Sequence, residues 1–318
     1  MELTKESPIV GAIDIGSNSI KLLLAHAKND PAEQLEIVLS ETIETRISQG
    51  ISKDQLLFSP QIQDTAIASI QKLIRLANEH KCEQLRIVAT SAVRDASNRT
   101  EFARAIFDKT GYPLRILSGT QEATLIAKGL RLDPQLPEVS DWTQMDIGGG
   151  SLELVRSIDG NIQQACSLNL GAVRLSEKFI VNPEAPISPK LANQISEHVT
   201  DSLKNSGFKF DAELSPLIST GGAFHIASQI GQQHHAFDFQ SGDRLSTAFI
   251  AQIKAWLMQQ TLRERKMIAG LPPSRADILP TALITIEALL RYTGYTYFQH
   301  SYYNLRYGLI GSMLFHQA

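Results

Sequence analysis

The sequence predicts an α/β chain built from two related halves, and three observations carry that expectation. Apolar, β-rich runs alternate with longer segments of helical periodicity along the whole chain. Residues 14–23 (DIGSNSIKLL) and 146–155 (DIGGGSLELV) agree at five of ten positions, 132 residues apart. That offset suits a duplicated domain and is too long for a solenoid repeat. The length of 318 residues matches two domains of about 150 residues each.

The elements follow in order. Ile9–Ile15 and Ile20–Ala25 read as strands joined by the turn Gly16-Ser17-Asn18-Ser19, and Leu35–Leu39 as a third strand. Ser59-Pro60 opens a helix whose residues Ile62, Ala66, Ile70, Leu73, Ile74 and Ala77 share one face. Leu85–Ala89 is a strand, followed by a polar loop around Arg94, a helix near Thr100–Lys109, a strand at Pro113–Leu117 and a helix from Gln121. After a proline-containing loop over 133–141, a second strand–turn–strand unit runs Trp142–Ile147, Gly148-Gly149-Gly150-Ser151, Leu152–Val155. Ile162–Leu168 is a strand, Gly171–Phe179 and Pro189–Lys204 are helices, and Leu217–Ser219 is a strand running into a helix opened by Gly221-Gly222. An irregular loop over 231–243 precedes helices at Ser246–Gln260, Ser274–Thr293 and Asn304–Phe315.

Composition excludes several classes. Hydrophobic residues make up 43% and charged residues 20%, a globular balance. The net charge of −3 argues against a protein that coats DNA. Two cysteines, Cys82 and Cys166, cannot form a disulfide framework, which predicts a reducing, cytoplasmic setting. No signal peptide or membrane span is expected; the most apolar stretch, Ala276–Leu290, is too short and contains Asp277, Pro280 and Glu287. His234 and His235 read as exposed loop residues and not as a metal site.

The repeated unit carries chemistry. A glycine-rich turn can point backbone N–H groups at an anion and lets that anion come close. Gly16, Ser17 and Asn18 in one copy, with Gly148, Gly149, Gly150 and Ser151 in the other, are therefore candidate phosphate contacts. Asp14 and Asp146 end the preceding strands, where a bare carboxylate would repel phosphate. Their presence makes sense when a hard cation, Mg²⁺ or another divalent ion, lies between. Gly221 and Gly222, at a strand-to-helix junction, supply a third anion site. Taken alone, Glu122 reads as a first-turn Glu favoured by the helix dipole.

The chain resembles the exopolyphosphatase and guanosine-pentaphosphate phosphatase family, of the actin, sugar-kinase and heat-shock ATPase superfold. The segments that carry the resemblance are AIDIGSNSIKLL (12–23), TRISQGI (45–51), ATSAVRDASNR (89–99), ILSGTQEATLIAKG (116–129), MDIGGGSLELV (145–155), LGAVRLSEKF (170–179), STGG (219–222), GLPPSRADILPTALITIEALL (270–290) and NLRYGLIGSML (304–314). It implies two actin-like (ribonuclease H-like) domains, 1–123 joined by a C-terminal helix at 302–318, and 124–301, with the active site in the cleft between them. It implies a short form of the family, without the further helical domain of longer members. It implies hydrolysis of the terminal phosphoanhydride of inorganic polyphosphate, or of the 5′-terminal phosphate of guanosine pentaphosphate, with Glu122 activating the attacking water. Asp14, Asp146 and Glu153 become metal partners, and Arg94 neutralises phosphate oxygens. Arg46, Lys21, Arg174 and Arg306 become possible substrate contacts, Arg306 having an equally open role in a structural salt bridge. Homodimerisation is a further implication.

The sequence departs from the family pattern at Leu152 (commonly Thr), Ala223-Phe224 (commonly small residues or Thr), Tyr307 (commonly Glu), Gln121 (commonly acidic) and Lys21 (commonly His or another polar residue). Two other readings share the loops: a kinase or ATPase of the same superfold, and a non-catalytic protein that binds polyphosphate or guanosine pentaphosphate.

Overall fold

The computed structural model describes residues 7–29, 34–48, 50, 57–136, 140–213, 215–234, 237 and 244–315. The chain divides into two compact units, one of residues 1–49, 54–137 and 303–318, the other of 50–53 and 138–302.

In the first unit, β1 (Val10–Ile15), β2 (Ser19–Ala27) and β3 (Leu35–Glu44) precede helix α1 (Pro60–Glu79), β4 (Gln84–Ala89), α2 (Ser91–Asp95), α3 (Arg99–Thr110), β5 (Leu114–Ile116) and α4 (Gly119–Leu130). The sheet order is β3-β2-β1-β4-β5. The first three strands pair antiparallel, while β4 and β5 run parallel to β1. Strand β1 is central, and Ala12, Ile13 and Ile15 are fully buried. Its continuous apolar run reflects cover on both faces. Ser59 caps α1, accepting from the Ile62 N–H at 3.3 Å, and Pro60 fits the first turn, where no intrahelical N–H partner is needed. Strand β3 extends five residues past Leu39 because β2 offers a partner as far as Ser19↔Glu44. The polar loop expected around Arg94 is instead the short helix α2.

In the second unit the order is β6 (Trp142–Ile147), β7 (Leu152–Ile158), β8 (Asn161–Leu168), α5 (Ala172–Phe179), α6 (Pro189–Asn205), β9 (Leu217–Thr220), α7 (Gly222–Gln233), β10 (Arg244–Ser246), α8 (Thr247–Gln259), α9 (Leu262–Arg265), α10 (Leu279–Thr293) and β11 (Tyr297–His300). Its sheet, β10-β11-β9-β6-β7-β8, repeats the first unit's order strand for strand, with β6, β7, β8, β9 and β11 standing for β1 to β5 and β10 added at the edge. Strands β10 and β11 were not expected, because three or four residues give no periodic signal and pairing alone makes them strands. Every residue from Leu279 to Leu290 is buried, so α10 is the central helix of this unit. The helix expected at Ser274–Thr293 begins instead at Leu279, with Pro280 in its first turn and a separate 3-10 turn at Pro273–Arg275.

The last helix, α11 (Leu305–Leu314), belongs to the first unit. Leu305, Leu309, Ile310 and Met313 share a core with Val10, Leu23, Leu117 and Ile126. The boundary falls after Pro137 and not at 123, because α4 buries Ala123, Ile126 and Ala127 and stays whole. Two glycines let α4 and α11 touch backbone to backbone. A Cβ at Gly308 would lie 1.8 Å from the Leu125 carbonyl oxygen, and one at Gly129 would lie 2.2 Å from that of Asn304. Among the described residues, no helix is long and apolar enough to cross a membrane.

Gly308→Ala is expected to lower the unfolding free energy by about 2 kcal/mol or more, because the clash is with backbone that cannot rotate away. Urea denaturation followed by circular dichroism checks this.

Candidate active site

Both repeated units fold into the same hairpin. In the first, Gly16 N–H donates to Ser19 O at 3.1 Å; in the second, Gly148 N–H donates to Ser151 O at 3.0 Å. The register agrees as well, Asp14 standing opposite Lys21 and Asp146 opposite Glu153. Ser17, Asn18, Gly150 and Ser151 are buried, and Gly16, Gly148 and Gly149 are half-buried.

The carbonyls of each loop are held from behind. In the second loop, Gly148 O accepts from Ala172 N–H (3.0 Å), Gly149 O from Val173 N–H (2.8 Å) and Arg174 N–H (3.1 Å), and Gly150 O from Arg174 Nε–H (2.8 Å). The donors are the first residues of α5. Gly171 makes the approach possible, since a Cβ there would lie 2.3–2.4 Å from the loop backbone. A trans peptide carries its carbonyl and the next N–H on opposite sides. Three carbonyls tied toward α5 therefore turn the N–H groups of Gly149, Gly150 and Ser151 away from it, the arrangement of an anion-binding nest. In the first loop, Ser17 O accepts from Ser48 N–H (3.1 Å) and Asn18 O from Thr45 and Arg46 N–H (3.1 and 3.0 Å). The N–H groups of Asn18 and Ser19 are turned away in the same manner. Asn18 also donates through Nδ2 to Glu44 at 2.6 Å. Arg46 is exposed and sits at φ 47°, a left-handed conformation that its backbone role imposes.

Glu122 lies in the first turn of α4, buried at 7% exposure. Ser118 caps that helix with Gln121 in a capping box, which gives the non-acidic Gln121 a structural task. Arg94 Nη1 donates to Glu122 Oε2 at 2.8 Å and to Leu117 O at 3.1 Å. The structure thus joins two residues predicted separately: the arginine expected on phosphate orients the expected base.

The two strand-end aspartates differ in their surroundings. Asp14 faces Lys21 across the ladder and feels the charge of buried Arg306. Asp146 faces another carboxylate, Glu153, and accepts from Thr220 Oγ1 at 2.5 Å. Glu153 accepts from Ser167 Oγ at 2.7 Å. Like charges placed directly opposite repel, so this carboxylate pair is the oxygen-donor set that fits a hard divalent cation. No group of three or more such ligands occurs among the described residues. Arg306 donates to Leu22 O (3.1 Å) and Ser40 Oγ (3.4 Å) at 9% exposure, which anchors it within the first unit.

At the third glycine site, Gly221 has φ 107°, and a Cβ would meet Ile147 O at 2.9 Å and Asp146 Oδ1 at 3.1 Å. A Cβ at Gly222 would meet open space. Three of the departures from the family pattern are packing residues here. Leu152 and Phe224 are core, and Tyr307 packs on Tyr303 with ring centroids 4.2 Å apart. His234, expected to be an exposed loop residue, caps α7 half-buried against Trp256; His235 lies outside the described residues. Burial pushes the Cys166 thiol up to about 11, with Glu153 adding to the shift, so it is no thiolate nucleophile.

Sequence reasoning missed His300. It pairs with Ser219 in the ladder, its Nδ1 lies 3.2 Å from Ser219 O, and its ring packs against Phe224 and Tyr302. Burial holds its pKa down to about 4, opposed by the Ser219 carbonyl and helped by nearby His225. No motif marks it, since an isolated His in a short strand gives no pattern.

Residues 26–317 match the Ppx/GppA phosphatase family. The chain belongs to that family. It is 28% identical over 291 residues to exopolyphosphatase 2 of Mycobacterium tuberculosis, covering 89% of this chain and 90% of that protein. It is 27% identical over 303 residues to the bifunctional 3-dehydroquinate synthase/phosphatase of Fusobacterium nucleatum, covering 91% of this chain and 44% of that longer protein. The crystal structure of an exopolyphosphatase from Cytophaga hutchinsonii superposes with a TM-score of 0.84 at 25% identity, covering 97% of this chain and 98% of that one. The Ppx/GppA member from Aquifex aeolicus shares the fold, with a TM-score of 0.78 at 21% identity over 96% of this chain and 97% of that one. The fold is accordingly the actin-like α/β fold of the Ppx/GppA structures, and the family's chemistry is phosphatase chemistry.

His300 supplies a pH prediction. Its unfolded pKa is about 6.5, so between about 6.5 and 4 the unfolded chain binds a proton that the folded chain does not. Its contribution to stability is full above that window and is lost as pH falls through it, on the order of 3 kcal/mol. Urea unfolding at pH 7 and pH 4.5 should show wild type losing more stability than His300→Gln.

Proposed function

We propose that this chain is a hydrolase that releases terminal phosphate from inorganic polyphosphate, with guanosine pentaphosphate as a second candidate substrate, in the cytoplasm. The observation that carries the reading is the braced second loop, whose three aligned N–H groups suit the charge that develops on a transferred phosphoryl group. Glu122, oriented by Arg94, takes the proton from the attacking water. The loop N–H groups at Gly149, Gly150 and Ser151 would hold phosphate oxygens, and those at Asn18 and Ser19 suit the same role in their own unit. Gly221 and Gly222 open α7 and add helix-terminal N–H groups of the same kind. Asp146 and Glu153 would hold Mg²⁺, and Asp14, balanced by Lys21, would lie beside the phosphates. A bound divalent ion would supply charge neutralisation on the phosphoryl oxygens. Family membership and the exopolyphosphatase names of relatives support this reading.

Leu152 favours a second reading, a binding protein without turnover, because its side chain is buried where the family commonly has a hydroxyl. That reading expects calorimetric binding of polyphosphate with no phosphate released at any metal concentration.

Phosphate release from polyphosphate and from guanosine pentaphosphate tests the proposal. Glu122→Gln keeps the shape and the Arg94 contact but not the basicity, and should lower kcat by about 100-fold or more. Equal rates would remove Glu122 from the role of base. Chelation with EDTA should abolish release and added Mg²⁺ should restore it. Glu153→Gln should raise the Mg²⁺ concentration needed for half-maximal rate by about tenfold, read from a metal titration.

A further inference from the structure

We infer that Arg174 is a positioning residue for the second loop: its Nε–H holds the Gly150 carbonyl and so aims the Ser151 N–H. This rests on the hydrolase reading for its functional meaning. The geometry is independent of it.

The two loops correspond position by position. Adding the repeat offset of 132, Asn18 corresponds to Gly150. The Asn18 carbonyl accepts from two backbone N–H groups, those of Thr45 and Arg46. The Gly150 carbonyl accepts from the side-chain Nε–H of Arg174 at 2.8 Å. A guanidinium thus performs in the second loop what backbone performs in the first. Backbone donors are present whatever the side chain, whereas the second brace depends on one residue type. Gly150 O and Ser151 N–H belong to the same trans peptide, so fixing the oxygen fixes the direction of the N–H. The planar guanidinium, with its donors in a rigid fork, suits a fixed direction better than a flexible ammonium does.

The brace has a firm base. Leu175 is fully buried, and Ser176 Oγ donates to Thr281 Oγ1 at 2.8 Å, tying α5 to the central helix α10. Arg174 also donates its own backbone N–H to Gly149 O. One residue therefore holds two successive carbonyls of the loop, and its main chain secures the first of them in any variant. The side chain holds the Gly150–Ser151 peptide.

The test uses the full chain with Arg174→Met and Arg174→Lys. Met removes charge and donor; Lys keeps the charge without the planar Nε–H. Hydrogen exchange of the substrate-free protein should quicken by about tenfold at the Ser151 amide in both variants, with the amides of α10 exchanging as in wild type. On polyphosphate, kcat should fall by about tenfold or more while KM changes by less than about threefold, because a misaimed N–H is felt most as charge develops on the transferred group. Unchanged exchange at the Ser151 amide overturns the proposal. So does a Lys variant with wild-type kcat, or a tenfold rise in KM at constant kcat, each of which makes Arg174 a direct charge contact. A wild type that releases no phosphate defeats the hydrolase reading, while the exchange comparison still decides whether Arg174 braces the loop.

Discussion

The opposition of carbonyl and N–H across a planar peptide is the constraint on which both glycine loops depend. A loop can present N–H groups to an anion only if its carbonyls, facing the other way, find donors of their own. The first unit supplies those donors from residues 45–48, just after β3. The second supplies them from the first turn of α5, shortly after β8. The helix N-terminus at α5 is thus spent on protein carbonyls. Gly171 is required where the two backbones meet, and the run GAVR (171–174) supports the loop beside it.

Duplication kept the hairpin and changed its electrostatics. Asp14 is balanced within its own unit by Lys21 across the ladder and by the charge of Arg306 nearby. Asp146 is set against Glu153 and held by Thr220. Each of these two carboxylates accepts a hydroxyl hydrogen bond, Asp146 from Thr220 and Glu153 from Ser167. The difference in surroundings comes from one position of the repeat, Lys at 21 against Glu at 153.

Most of the fold was legible because its signals are local. The repeat offset, the Ser59-Pro60 start and the apolar strands all lie within short windows of sequence. What escaped was set by distant partners. Strand β11 exists because β9 offers an edge, β3 lengthens because β2 continues, and α2 forms where a polar loop was expected. The same holds for the departures from the family pattern. Gln121 completes a capping box, Leu152 and Phe224 fill the core, and Tyr307 packs on Tyr303. Each changes packing around the site and leaves both aspartates, Glu122 and the glycine turns in place.

The sequence by itself determined the residue types that chemistry needs and their repetition: two Asp–Gly turns, a third Gly-Gly junction, one first-turn Glu and a set of arginines. Turn chemistry and strand alternation are written in adjacent residues, so a reader of the chain can find them. Only the tertiary structure decided what each arginine does. Arg94 grips Glu122, Arg174 grips Gly150, and Arg306 turns inward to the Leu22 carbonyl. A guanidinium is long, flexible and equally suited to phosphate, carboxylate or carbonyl oxygen. Which acceptor it meets depends on neighbours brought from 24 to 284 residues away, and no local pattern records that.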